Sequence, residues 1–410
     1  MPTPETKGVL DPAALADPYT YFAGLREHDP VHWSEPDAAW LVTRYDDVLA
    51  GFRDSRLSSE RVGPSEKSLT PDQLAGLSTT LTILEGWMAF RDEPEHARLR
   101  APLRRTFTPR RVTSMHEWID RIVCELIDDI DTSQPFDLVR DLAFPLPAIV
   151  IAELLGVPPE DRNEFKWWSN KLATLVLGTL DRPDMFERSR DAGDEFTEYF
   201  TELIRRYEKE PADNLISALI AARAEGFVLS DTEMVGACTL LLFGGHETTA
   251  NLIVNSTLTL LRNPDQLDLI RTLGEVPRTA VEEFLRYDGP AKIMERRVAE
   301  PMELGGRELA PGDHVFLAIS SANHDPAMFD GPERVDLLRD PNPHLGFGQG
   351  RHFCLGAPLA RLETKIAIER LFERFGDLCL APQDFDYAPV VLGRSLRRLM
   401  LTAGAADPAG

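Results

Sequence analysis

The chain is short of positive charge: 44 Lys and Arg stand against 67 Asp and Glu, for a formal net charge of −23. That balance argues against nucleic-acid binding through any broad basic surface. No apolar run approaches the length of a membrane span, and the N-terminus, MPTPETKGVL, has no apolar signal core. A soluble, cytoplasmic protein with no membrane partner is expected. Paired cysteines are missing too. The four present, at 124, 238, 354 and 379, are scattered without a CxxC pair, which argues against a disulfide framework. No repeat, low-complexity tract or linker marks a domain boundary. What remains is an ordinary globular composition, 43% hydrophobic and 27% charged over 410 residues. That length suits two or three ordinary domains or one large one.

One cysteine stands apart. Cys354 lies in FGQGRHFCLG, residues 347–356, just before the pattern APLARLETKIAIERLFERF. There Leu359, Leu362, Ile366, Leu371 and Phe375 recur near the spacing of one buried helical face. Cys354 is thus held at a helix N-terminus, where free N–H groups and the macrodipole favour an anion over a thiol. Gly350 and Gly356 allow the backbone to approach the sulfur and point amides at it. A thiolate with no second Cys or ligand-spaced His nearby suits a single axial bond to haem iron. An isolated cysteine is more often a small buried hydrophobe. The pattern Phe-x2-Gly-x3-Cys-x-Gly is far more demanding, and it resembles the haem-binding loop of the cytochrome P-450 family, the haem-thiolate monooxygenases. The resemblance is dense over the last two-thirds of the chain and visible at its start.

A second chemical centre lies in SDTEMVGACTLLLFGGHETTANLIVNSTLTLLRNP. Ser230 and Glu233 read as a capping-box start and Asn263-Pro264 as the stop. The largely apolar stretch between them predicts a buried helix of roughly 45 Å. Gly244 and Gly245 cost that helix roughly 2 kcal/mol of propensity, so a kink or widened turn is expected there. Tight packing at glycine explains the glycines but not the acid–alcohol pair Glu247-Thr248 that follows. A zinc-protease HExxH reading of His246-Glu247 fails, because Ala250 stands where the second histidine is needed.

The family resemblance supplies further expectations. It implies that Thr248 hydrogen-bonds dioxygen at the haem and that Glu247 relays protons for O–O cleavage. Leu240, Phe243 and Gly244 would face substrate, Gly244 also touching the cofactor. Phe347, Gly348, Cys354 and Gly356 would cradle the haem, with Cys354 as the metal ligand. His96 and Arg100, four apart in DEPEHARLR, would hold a propionate, as would Arg296 and His352. Spacing alone leaves His96 and Arg100 open to being part of a solvated basic helix. The neighbouring Arg98, Arg104, Arg105, Arg110 and Arg111 read equally as a dock for an acidic electron carrier or as a solubilising face. Glu283 and Arg286 would join Arg334 in a structural trio supporting the haem loop.

If AKIMERRV is extended, Lys292, Met294 and Arg296 share a side. Lys292 and Met294 would then face the distal pocket, and Val391 and Leu392 would line its floor. Lys292 reads as an anchor for a substrate carboxylate, or as a lysine that snorkels outward or pairs with an internal acid. Residues 60–90 read as a long loop, and residues 171–191 resemble the family's substrate-entry helix pair.

The fold expected is mainly α, the cytochrome P-450 fold, a single haem domain over residues 1–410 with a small β-rich region. The implied cofactor is haem b (heme b, iron protoporphyrin IX). The implied partners are dioxygen, a hydrophobic small-molecule substrate, and a ferredoxin with its ferredoxin reductase drawing electrons from NAD(P)H. The activity expected is hydroxylation or epoxidation of a medium-sized hydrophobic molecule, in secondary metabolism. The alternatives are a peroxide-driven haem peroxygenase and a non-catalytic protein partner. The Glu247-Thr248 pair argues against the first, and the retained Cys354 against the second.

Overall fold

The structure, a computed structural model, describes residues 8–60, 70–161, 183–391 and 393–403. Its residues gather in two compact units: 1–57, 113–146 and 247–410 form one, and 58–112 with 147–246 form the other. Helices dominate both, and among the described residues none is long and apolar enough to cross a membrane.

The first unit holds the β-rich region. The helix Pro18–His28, capped by Asp17, leads into a hairpin of Val31–Ser34 and Ala39–Val42. Their antiparallel register sets Val31 against Val42 and Trp33 against Trp40. The strand His314–Leu317 adds in parallel to the second hairpin strand, and Met294–Val298 pairs antiparallel with it, setting Arg296 opposite Val315. Apolar residues from these strands, among them Val42, Val298, Val315 and Leu317, pack with Val48 and Phe52 of the helix Tyr45–Arg53. A smaller sheet pairs Met400–Ala403 with Leu378–Leu380 and with Phe136–Asp137. The helix Ala357–Arg374 lies against His116–Asp128, and Arg370 Nε donates to Asp120 Oδ1 at 2.6 Å.

In the second unit, sequence punctuation becomes structure. Pro145 and Pro183 open helices, Pro145–Leu155 and Pro183–Lys209, because an N-terminal proline loses no intrahelical bond. The capping box forms as expected: the Ser230 N–H donates to Glu233 at 2.8 Å, and the Glu233 N–H donates to Ser230 Oγ at 3.2 Å. The helix it opens, Asp231–Arg262, ends just before Asn263-Pro264 and runs unbroken through Gly244 and Gly245. No widened turn interrupts it there, and a Cβ on Gly245 would make ordinary contact with Ile151 at 3.4 Å.

One expectation needs correction here. Residues 71–90, read as loop, contain the helices Pro71–Gly76 and Ser78–Glu85 and a short turn at Met88–Phe90. Tertiary packing overrides their weak periodicity: Trp87, 1% exposed, donates to Thr239 Oγ1 at 2.9 Å, and a Cβ on Gly236 would lie 2.8 Å from Gly86 Cα. Three arginines of the basic cluster form surface ion pairs within this unit. Arg98 pairs with Glu95 and Glu233, Arg105 with Glu225, and Arg111 with Asp213. Residues 61–69, 162–182 and Leu392 lie outside the described residues, and with them 171–182 of the expected entry region.

Candidate active site

The glycine loop is built for close approach. Gly348 at φ +69° and Gly350 at φ +72° adopt the left-handed region that a side chain would strain. A Cβ on Gly350 would also sit 3.2 Å from the carbonyl oxygen of Phe52. A short turn, Gly350–His352, follows, and the Cys354 N–H donates to the Phe347 carbonyl at 3.0 Å, closing the loop. Cys354 is left exposed, three residues before a helix whose N-terminus no side chain caps. A Cβ on Gly356 would come within 4.0 Å of its sulfur. An accessible thiol, bare backbone around it and uncapped helix amides fit a flat cofactor bound through one sulfur.

Two adjacent glutamates hold this loop from the helix Arg278–Asp288. Arg286 and Glu283 are both buried, and all five guanidinium donors of Arg286 are used. Nε and Nη2 bond Glu283 at 2.8 and 2.7 Å, and the rest reach the carbonyls of Asn323, Pro332 and Arg334. The third partner is not the Arg334 side chain. Arg339 Nε reaches Glu283 at 3.2 Å, joined by Asn342 at 3.0 Å and the Asp336 N–H at 2.9 Å. Arg334 contributes only its carbonyl, because the irregular segment before the loop turns its backbone, not its side chain, toward Arg286.

Glu282 takes the other side. It accepts from Arg361 at 2.6 and 2.8 Å and pairs with His344 Nε2 at 2.8 Å. Burial would push its carboxyl up, but these two partners outweigh it and hold the group down to about 2. His344 Nδ1 accepts from the Gly346 N–H at 3.1 Å, and the Arg361 guanidinium lies 4.5 Å from the centre of the Phe347 ring. This clamp was missed in the sequence. Its signal was the polar run RDPNPH, which has no periodicity of its own, directly before the glycines.

Arg296 is buried on its strand, with its guanidinium 5.8 Å from the Phe52 ring centre. A Cβ on Gly348 would meet that same ring at 3.5 Å. Phe52, which sequence reading passed over, therefore joins the strand to the glycine loop. Phe347 and His352 are half-buried in that loop. Met294 and Val391 are half-buried within this unit, and Lys292 is fully buried.

The long helix is mostly buried, yet Gly244 and Thr248, four apart in its middle, are exposed. A Cβ on Gly244 would meet nothing within 4 Å, so this face opens onto space. Between them His246 is buried and Glu247 half-buried, and burial raises the Glu247 carboxyl pKa above its usual value. A carboxyl whose pKa burial raises and a hydroxyl thus sit beside an open stretch of helix, groups able to pass a proton and to donate a hydrogen bond.

The second unit carries the remaining candidates. Leu240 is buried, and Phe243 lies 5.1 Å from the Trp87 ring centre. On the helix Glu95–Thr106, His96 is buried with Nδ1 3.2 Å from Glu93, and Arg100 is half-buried.

With this geometry in place, the chain was compared with known proteins. The family model described as Cytochrome P450 matches residues 71–272 and 275–385. A polyketide biosynthesis cytochrome P450, PksS of Bacillus subtilis, is 36% identical over 392 residues, covering 93% of this chain and 95% of that protein. The vitamin D(3) 25-hydroxylase of Pseudonocardia autotrophica is 40% identical, covering 95% and 94% respectively. Among solved structures, P450BioI in complex with an acyl carrier protein ligated to hexadec-9Z-enoic acid matches with a TM-score of 0.87 at 35% identity, covering 95% of this chain and 99% of that one.

Proposed function

The chain belongs to the cytochrome P450 family, carries haem b and uses a small-molecule substrate, dioxygen and redox partners; on that premise we propose that it hydroxylates or epoxidises a medium-sized hydrophobic molecule. When bound, the haem supplies the reductive activation of dioxygen, one oxygen atom passing to substrate and the other leaving as water. The protein's residues do the rest.

In this reading Cys354 would hold the haem iron through its sulfur, as a thiolate that the helix N-terminus it precedes would favour. The observation that carries the proposal is that thiol, accessible on a loop clamped through Glu282 and Glu283. Phe347, Gly348 and Gly356 shape the cradle, and Arg296, His352, His96 and Arg100 meet the propionates with cationic donors. Thr248 orients dioxygen through its hydroxyl beside the open backbone at Gly244. Glu247 delivers protons, its raised pKa keeping it charged with a proton closer to neutral pH. Leu240, Phe243, Met294, Val391 and Leu392 supply apolar walls, with Lys292 among them.

We take residues 1–410 to work as one haem domain. Two electrons per turnover come from NAD(P)H through a ferredoxin and its reductase, which places the enzyme in the cytoplasm with that reductant. Relatives such as PksS favour a role in secondary metabolism. The test is turnover of a hydrophobic compound library under 18O2 with a surrogate ferredoxin, ferredoxin reductase and NADPH. A product carrying one 18O atom is expected. Turnover that proceeds only with hydrogen peroxide overturns the reading.

A further inference from the structure

Lys292 stands in an extended stretch between the Ala291–Gly393 bridge and the strand Met294–Val298. Its carbonyl accepts from the Ser320 N–H at 3.1 Å and the Ser320 hydroxyl at 3.3 Å, which fixes its backbone. The residue is only 3% exposed, a rare position for lysine. It does not snorkel outward. Nor has it found an internal acid: no carboxylate among the described residues comes within 4.0 Å of its ammonium.

The nearby charges are already committed. Asp37 accepts from the Val9 N–H at 3.2 and 3.1 Å and from the Ser34 hydroxyl at 2.6 Å. Arg394 pairs with Asp288 at 2.8 Å and stacks 3.9 Å from the centre of the Tyr387 ring. Burial, then Arg394, lower the Lys292 pKa to about 8, with Asp37 opposing them. At neutral pH the ammonium is therefore still largely charged. The residues that follow it are apolar: Ile293 belongs with Phe316 to one core cluster on which Val391 packs, and Met294 packs on another.

A buried cation without a close counter-ion, followed in the chain by apolar residues, is complementary to an amphipathic anion. We propose that Lys292 receives the carboxylate of the substrate, so that the substrate class is hydrophobic carboxylic acids rather than neutral hydrophobes. The inference rests on the pocket reading above, which sets Lys292, Met294 and Val391 on the substrate side. A carboxylate brings the missing counter-charge and makes a charge-assisted hydrogen bond where water is excluded. The methyl ester of the same acid leaves the ammonium unpaired and the ester poorly matched. The acid should accordingly bind roughly tenfold or more tightly than its ester.

The experiment is isothermal titration calorimetry on the haem-loaded protein at pH 7. The probes are dodecanoate, 2-naphthoate and abietate, a linear, an aromatic and a terpenoid acid, each against its methyl ester. The wild type should favour the acid on at least one skeleton by about tenfold or more. Lys292→Met should abolish that preference, and Lys292→Arg should keep part of it. Raising the pH past about 8 should erode the wild-type preference, because the ammonium loses its proton while the carboxylate stays charged. The proposal is overturned by equal or better ester binding on every skeleton, by a preference that survives in Lys292→Met, or by no binding of any acid. Reduced carbon-monoxide spectra of the same samples separate the two readings. An absent thiolate band defeats the haem assignment, whereas a normal band with no acid preference defeats only the role of Lys292.

Discussion

A carboxylic acid that hands on protons must take one up near working pH, and burial moves the Glu247 pKa in that direction. The sign is unusual for a glutamate. Its folded pKa lies above the unfolded value, so it contributes no stability, and it destabilises the fold once pH rises past the unfolded value. Such a cost is expected where function demands it. Glu247→Gln should lower kcat for dioxygen-driven turnover on the order of a hundredfold. Turnover driven by hydrogen peroxide, which arrives already carrying its protons, should fall far less. Steady-state rates with each oxidant check this, and equal losses in both would remove Glu247 from proton delivery. At this scale the sequence was largely legible. GGHETT and FGQGRHFCLG show their chemistry in contiguous residues. The burial of Lys292 was not visible, because it depends on Ser320 and Arg394, far away in the chain.

The helix Arg278–Asp288 presents the neighbouring Glu282 and Glu283 to different partners, and each holds part of the segment leading to Cys354. Removing one member of a buried ion pair leaves the other charge uncompensated, at a cost of about 3–5 kcal/mol. Arg286→Ala should therefore lower stability by about that amount in urea unfolding, and haem should be lost along with it. Arg334→Ala should do neither, since only the backbone of that residue takes part. An Arg334→Ala variant as damaged as Arg339→Ala would restore the trio first expected from the sequence. That error has a physical source: the two arginines lie in irregular chain without periodicity, and only tertiary packing decides which guanidinium turns inward. The Glu282 clamp adds a pH signature. Its carboxyl is depressed from 4.5 to about 2, so its contribution is present above pH 4.5 and is lost as pH falls toward 2. In acid titrations of stability, Glu282→Gln should flatten the slope within that window. A slope identical to wild type would show that His344 and Arg361 do not hold the charge.

Across the whole molecule, the sequence patterns that proved reliable were local ones: the capping box at Ser230 and Glu233, and the helix stop at Asn263-Pro264. The helices within residues 71–90 were missed because they are short and owe their existence to packing around Trp87 and Gly86. The pairing of three arginines with acids inside the second unit was equally hidden, since Arg98, Arg105 and Arg111 find partners more than a hundred residues on. Haem binds only the folded chain, so at a hundred times its Kd it should add about 2.7 kcal/mol to stability. Scanning calorimetry should show the haem-loaded protein melting above the apoprotein, and coincident transitions would mean that the cofactor is not held by the folded state. The account as a whole depends on a sulfur–iron bond at Cys354, and the reduced carbon-monoxide difference spectrum reads that bond directly. Wild type should give the red-shifted Soret band of thiolate-bound haem, and Cys354→His should bind haem without it. A wild-type spectrum lacking that band, or a Cys354→His spectrum retaining it, would contradict the account.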